Sequence, residues 1–276
     1  MSPNDQPAVV VLHKPRVVRG LIAVFDVLGF KSFCANNTDQ KVAEEVLKYI
    51  DFIPEGMPEL LARSLSRGQE KAYGHAKALL SNIKWLVFSD TIVVALPDAD
   101  NAPKQLLHEY IAACAILNRV LFERGLPVRG AMHLGDFVIG NRCIAGKVVV
   151  EALDQLHQLE AACTVISNDV WFRLQDKLNP DEIMDSLLLG LLPRCSVPCK
   201  DEVKVLTTLN WFNVSIGTTS DPEDTYNFVM TQFLAHGKQL DAAAHAKARN
   251  TADIFTAWLA RRKKREVAQT GISQNA

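Results

Sequence analysis

Residues 21–30, LIAVFDVLGF, restrict what this chain can fold into more than any other stretch. Leu21, Ile22, Ala23, Val24 and Phe25 form an unbroken apolar run. Such a run suits a strand buried on both faces and is too short to read as a helix by itself. Asp26 ends it, and a carboxylate at the end of a buried strand is costly unless a cation or a donor meets it. Gly29 lets backbone N–H groups turn toward an anion, and a helix is expected soon afterwards. Two readings stay open: a metal on Asp26 with phosphate on the turn, or Asp26 as a cap of the next helix.

A helix is expected over residues 39–53, where Val42, Val46, Leu47, Ile50 and Ile53 recur at helical spacing between charged residues. Tyr49 lies on it, either as part of the core or as a contact to a nucleobase at a pocket mouth. Pro54, Gly56, Pro58, Gly68 and Gly74 interrupt residues 54–82, which read as a helical insertion. Residues 83–88 and 91–97 then read as a hairpin with Ser89 and Asp90 at its connection. Asp90, like Asp26, emerges directly from an apolar run. Either could be an ordinary turn residue, but two such carboxylates make a divalent-metal pair attractive.

An amphipathic helix is expected over 102–124, stopped by Gly125 and Pro127, followed by a strand from Val128 through Ile139 and a glycine-containing loop at 140–146. His133 reads as a packed, hydrogen-bonded group in preference to a catalytic base. A helix over 148–162, a short strand at 163–167, a helix opened by Asn168 and a hairpin formed by 195–199 and 203–211 complete this region. Lys200 sits at the hairpin turn, where it either reaches a triphosphate or is simply solvated. Two further helices are expected from Asp221, the second with Ala248, Ala252, Phe255, Trp258 and Leu259 on one face. The basic run at 261–265 complements the dipole at that helix's end. The expected organisation is an arm at 1–18, a main domain at 19–215, a helical extension at 216–266 and a disordered tail at 267–276.

With 30 basic and 31 acidic residues there is no global field to favour nucleic acid or an anionic membrane, so any polyanion site must be local. Cys34, Cys114, Cys143, Cys163, Cys195 and Cys199 show neither paired C-x-x-C spacing nor histidine partners, and read as reduced, buried thiols. No signal peptide or membrane-length apolar run is evident, so a cytoplasmic protein is expected.

The order of these pieces resembles the catalytic core of class III nucleotide cyclases. FDVLGF at 25–30, SDTIVV at 89–94 and RGAMHLGDFV at 129–138 carry the resemblance, which spans about residues 21–212. Within that superfamily the chain is similar to the bacterial Pycsar pyrimidine cyclases, through its D-x-L-G-F turn, S-D-T hairpin, R-G-A strand, Glu151-Ala152 and Leu209-Asn210-Trp211.

The resemblance implies an α+β fold, with a ferredoxin-like βαββαβ core, a mainly antiparallel sheet and C-terminal helices. It implies cyclisation of UTP or CTP to the 3′,5′-cyclic monophosphate with release of diphosphate, in a head-to-tail homodimer with two composite sites. The product would act on a downstream effector in antiphage defence. Asp26, Asp90 and the Val27 carbonyl would hold two Mn²⁺ or Mg²⁺ ions. Leu28, Gly29 and Phe30 would hold the triphosphate, and Lys200 matches a phosphate lysine. Arg129 is a candidate for an anion contact or a structural ion pair. The Asn and Arg of purine cyclases are replaced by Asp154 and Gln158, and the adenine-selecting lysine by Leu86. A divergent adenylate or guanylate cyclase, or an inactive cyclase-like binding module, are the alternative readings.

Overall fold

The computed structural model describes residues 15–66, 77, 80–140, 143–177, 179, 190–214 and 221–273. Strand β1 (Arg16–Val27) is its axis. Leu21 to Phe25 are all buried, as a strand covered on both faces requires. β1 pairs antiparallel with β3 (Thr91–Pro97) on one side and with β4 (Val128–Gly140) on the other. β2 (Lys84–Phe88) pairs with β3, giving the order β2-β3-β1-β4.

Two helical segments separate these strands. The first comprises α1 (Phe30–Ala35) and α2 (Asp39–Ser66), the second α3 (Lys104–Glu123). The result is the expected βαββαβ order with a mainly antiparallel sheet. The sheet continues past β4. A short β5 (Cys143–Ala145) folds back on β4, and β6 (Thr164–Ile166) runs parallel to β4. The hairpin of β7 (Arg194–Pro198) and β8 (Val203–Thr208) closes the far edge through β8. α4 (Lys147–Gln158) packs on β4 and β1, and α5 (Asn168–Gln175) follows β6 with Ser167 accepting from the Val170 N–H as its cap.

The C-terminal helices α6 (Pro222–Leu234) and α7 (Ala242–Ser273) belong to the same body. Phe255 lies 4.8–5.3 Å, ring centre to ring centre, from Phe122 on α3 and from Trp211, Phe212 and Trp258. Trp258 donates its indole N–H to Thr208 Oγ1 at 3.3 Å. Ala248, Ala252, Phe255 and Trp258 are buried together, as their spacing predicts.

Several boundaries differ from expectation. β1 starts at Arg16, inside the expected arm, because its first residues pair with β4 as far as Ile139. α2 does not stop at Ile53 but runs to Ser66 through Pro54, Gly56 and Pro58. Ile53, Met57 and Leu61, spaced by four, are buried as one stripe, and that burial outweighs the proline and glycine penalties. The remainder of the expected insertion lies largely outside the described residues. α7 continues past Val267 to Ser273, through a run of Arg, Lys, Glu, Ala and Gln that favours helix. Cys114, Cys163 and Cys195 are buried free thiols, but Cys34 and Cys143 are exposed. No helix among the described residues is long and apolar enough to cross a membrane.

Candidate functional site

One end of the central strands gathers the predicted residues. Antiparallel pairing puts the last residues of β1, the β2–β3 turn and the first residues of β4 at the same end: Asp26 lies opposite Thr91 on one side and Arg129 on the other. The two-residue β2–β3 turn places Ser89 in the left-handed region at φ 56°. It also aims the Asp90 carbonyl at β1, where it accepts from the Val27 N–H at 3.0 Å. That bond ties the Asp90 turn to the residue after Asp26. Although Cys34 is exposed, partial desolvation pushes its thiol up and the negative charge of Asp90 adds to the effect, so α1 lies beside the same turn.

The Asp26 carboxylate has a partner. Arg129 donates from Nε and approaches with its terminal nitrogen, both at 2.9 Å from Asp26 Oδ2, and the two side chains are only 15% and 16% exposed. A charge-assisted pair of this kind stabilises an otherwise costly carboxylate. Of the two roles open to Arg129, the structure contains the ion pair.

The β1–α1 turn is built on Gly29, at φ 76° and ψ 16°, followed directly by the first helical residue Phe30. A left-handed residue next to a right-handed one points successive N–H groups into one concavity. Not every N–H there is available, however. Leu28 donates to the Pro127 carbonyl at 2.8 Å, so its expected phosphate contact is spent on the α3–β4 loop. Gly29 and Phe30 have no such backbone bond among the described residues, and no side chain caps α1.

One expected residue, Lys200, falls elsewhere. Lys200 lies in the β7–β8 turn, with its N–H donating to Gln158 O at 2.9 Å. Because β8 runs parallel to β1, that turn is at the opposite end of the strands from Asp26. Within one chain Lys200 therefore does not join Asp26 and Asp90. Tyr49 is on α2, with its side chain outside the described residues. His133 meets Gln155 of α4, Nε2 to Oε1 at 2.6 Å, the packed role expected of it.

Two hard carboxylates and a main-chain carbonyl suit Mg²⁺ or Mn²⁺, ions that complete their shell with water and substrate phosphates. Among the described residues no group of three or more His, Cys, Asp or Glu that could hold a metal ion is gathered.

The segment joining α6 to α7 reaches the same region unannounced by any motif. His236 Nε2 meets the Arg124 carbonyl at 2.7 Å, and its ring lies 5.2 Å from that of Phe33 on α1. Lys238 donates to the Gly125 carbonyl at 2.5 Å, and Asn37 donates to the His236 carbonyl at 2.7 Å. The only sequence signal was a short polar stretch, HGKQ at 236–239, between two helices.

No protein-family model matches the sequence, and no curated protein does either. Among solved structures, the adenylyl cyclase CyaB from P. aeruginosa is 12% identical, with 75% of this chain and 98% of that one covered at a TM-score of 0.46. The guanylyl cyclase Cya2 is 14% identical, with 71% and 92% covered at 0.41. The catalytic core of a rhodopsin-guanylyl cyclase is 10% identical, with 71% and 97% covered at 0.46. At such identities and scores these likenesses assign no function, and the reading of the site rests on its own residues.

Proposed function

We propose that this chain is a nucleotide cyclase that converts UTP or CTP to the 3′,5′-cyclic monophosphate and diphosphate. The observation that supports the reading is that Asp26 and the Asp90 turn stand at the same end of the sheet, with the Val27 N–H donating to the Asp90 carbonyl beside the left-handed Gly29 turn. Asp26, Asp90 and the Val27 carbonyl would hold Mn²⁺ or Mg²⁺, two ions per site. When bound, these ions supply charge neutralisation at the phosphates and acidify the ribose 3′-hydroxyl.

The remaining work is positioning. The N–H groups of Gly29 and Phe30 hold the triphosphate against the sheet end, in line with the incoming 3′-oxygen. The O3′–Pα bond forms as the bond from Pα to the bridging oxygen breaks, the hydroxyl proton leaves to solvent, and no side chain acts as nucleophile. Arg129 neutralises Asp26, and with a cation held there its guanidinium would be available to a phosphate oxygen. The pyrimidine preference rests on the family motifs and on Leu86 standing where adenylate cyclases carry lysine. Because Lys200 lies at the opposite strand end, its phosphate contact requires a second copy. A head-to-tail homodimer with two composite sites would supply that copy, and the product would serve as a second messenger to an antiphage effector.

The Asp26–Arg129 pair also supports a second reading, a cyclase-like binding module in which arginine has taken the cation's place. Incubating the protein with Mn²⁺ and each of ATP, GTP, CTP and UTP, with products identified by mass, separates the two. Cyclic UMP or cyclic CMP alone is the expected result. A purine product would keep the metal chemistry and remove the pyrimidine assignment, and no product from any nucleotide would favour the binding module.

A further inference from the structure

Lys238 is buried to 4% exposure, and no carboxylate among the described residues forms an ion pair with it. Its ammonium donates to two backbone carbonyls, Gly125 at 2.5 Å and Gln232 at 3.4 Å. Its Cδ lies 3.4 Å from where a Cβ on Gly29 would stand. A buried cation with only carbonyl partners is a poor choice for stability, since an apolar chain of the same length would fill the space without the desolvation cost. Burial accordingly pulls its pKa from 10.5 down to about 8.

The contacts of residues 235–239 share a pattern. Towards β4 they grip the α3–β4 loop: Lys238 on Gly125 O, His236 on Arg124 O, and Ala235 packed so closely that a Cβ on Gly125 would come within 2.2 Å of its methyl. That loop in turn holds the β1–α1 turn through Pro127 O and the Leu28 N–H. Towards α1 they grip the other side of the same turn: the Gln239 N–H donates to Ser32 Oγ at 3.0 Å, Asn37 bridges Phe33 O and His236 O, and His236 packs on Phe33. The strap thus holds both segments that flank Leu28 and Gly29.

We propose that Lys238 is a positioning residue for the candidate site: from beneath Gly29 and through the Gly125–Pro127 loop, it sets where the β1–α1 turn stands relative to Asp26. The C-terminal extension is then a working part of the site and not an appendage. The inference rests on the cyclase reading only for its kinetic consequence, since the geometry of the turn can be observed without turnover.

The test uses the full chain with Lys238→Met, which fills the space without the ammonium, and Lys238→Arg, which restores a cation and its donors. Amide hydrogen exchange over residues 26–37 is measured with the Mn²⁺-dependent KM and kcat for whichever nucleotide the wild type converts. In Lys238→Met we expect exchange to accelerate at residues 28–33 but not in β4 or α7, and KM to rise on the order of tenfold with a smaller change in kcat. Lys238→Arg is expected to recover at least part of both. Should Lys238→Met not fold, Asn37→Ala, which cuts the strap from α1, is expected to give the same local signature. Wild-type exchange at 28–33 with wild-type KM would overturn the proposal. So would acceleration spread evenly over the sheet, which is the mark of a merely structural lysine. If the wild type converts no nucleotide, the cyclase reading fails while the exchange pattern alone decides the role of Lys238.

Discussion

Lys238 makes a measurable demand on how stability changes with pH. Its pKa is held near 8 in the folded chain by burial, against 10.5 when exposed. Between those values the unfolded chain carries a proton at this position that the folded chain has released. Stability contributed by Lys238 therefore rises with pH across that window, and the penalty is fully present below pH 8. At about 1.4 kcal/mol per tenfold change in proton affinity, the whole effect is on the order of 3 kcal/mol, most of which falls between pH 7 and pH 10.

The buried thiols act in the opposite direction. Burial pushes Cys114, Cys163 and Cys195 up from 9.0, so they hold protons in the folded chain that the unfolded chain loses, and their contribution falls as pH rises past 9. These terms are common to wild type and Lys238→Met and cancel in the difference. Urea unfolding of both proteins under reducing conditions at pH 7, 8, 9 and 10 isolates the lysine. The wild type is expected to gain on the order of 2–3 kcal/mol on the variant across that range. Parallel curves would refute the reasoning, because they would mean that the ammonium is not desolvated where it sits. A triphosphate bound on the Gly29 turn should flatten the wild-type slope, since a nearby anion stabilises the charged form.

Other substitutions probe the site and its support. Asp26→Ala and Asp90→Ala are each expected to abolish cyclic nucleotide formation while circular dichroism stays native, and wild-type turnover by either under saturating Mn²⁺ would remove the proposed mechanism. Arg129→Met strands the Asp26 carboxylate and is expected to cost about 2–4 kcal/mol without divalent ions. Added Mn²⁺ should raise its melting temperature more than that of wild type, because the cation no longer competes with a guanidinium; equal shifts would place the metal elsewhere. Phe255→Ala empties the centre of the aromatic cluster that joins α7 to α3, and should cost about 3–5 kcal/mol by chemical denaturation. A loss below about 1 kcal/mol would mean that α7 is not packed on the core as described.

What was legible in the sequence was whatever depended on local pattern. The run at 21–25 announced a strand buried on both faces because five apolar residues in succession leave no face for water, and Ser89-Asp90 announced a hairpin because the chain had to reverse between two β-prone runs. Asp26 drew notice because it ends a buried run and Asp90 because it stands at a hairpin turn after an apolar one, although β2 itself is only half-buried, with Phe88 exposed. Partners chosen in three dimensions were not legible. The bond from Leu28 to Pro127 depends on β4 entering beside β1, which residue order alone does not fix, so a donor expected to face phosphate is found facing protein. Pro54 and Pro58 suggested a break, but the stripe of Ile53, Met57 and Leu61 kept the helix going, a tertiary gain that outweighs a local penalty.

Lys238 was the least legible residue of all, because a lone lysine in a polar stretch is nearly always solvated. Its meaning comes from what surrounds it. A chain selected only for stability would place methionine or leucine under Gly29, because an apolar side chain there carries no desolvation cost. Apart from the Lys238 bond to Gln232 of α6, the hydrogen bonds described for the strap run to the segments that flank Leu28 and Gly29. The charge stands close beneath the Gly29 turn, and it is there that the segment between the last two helices meets the end of the first strand.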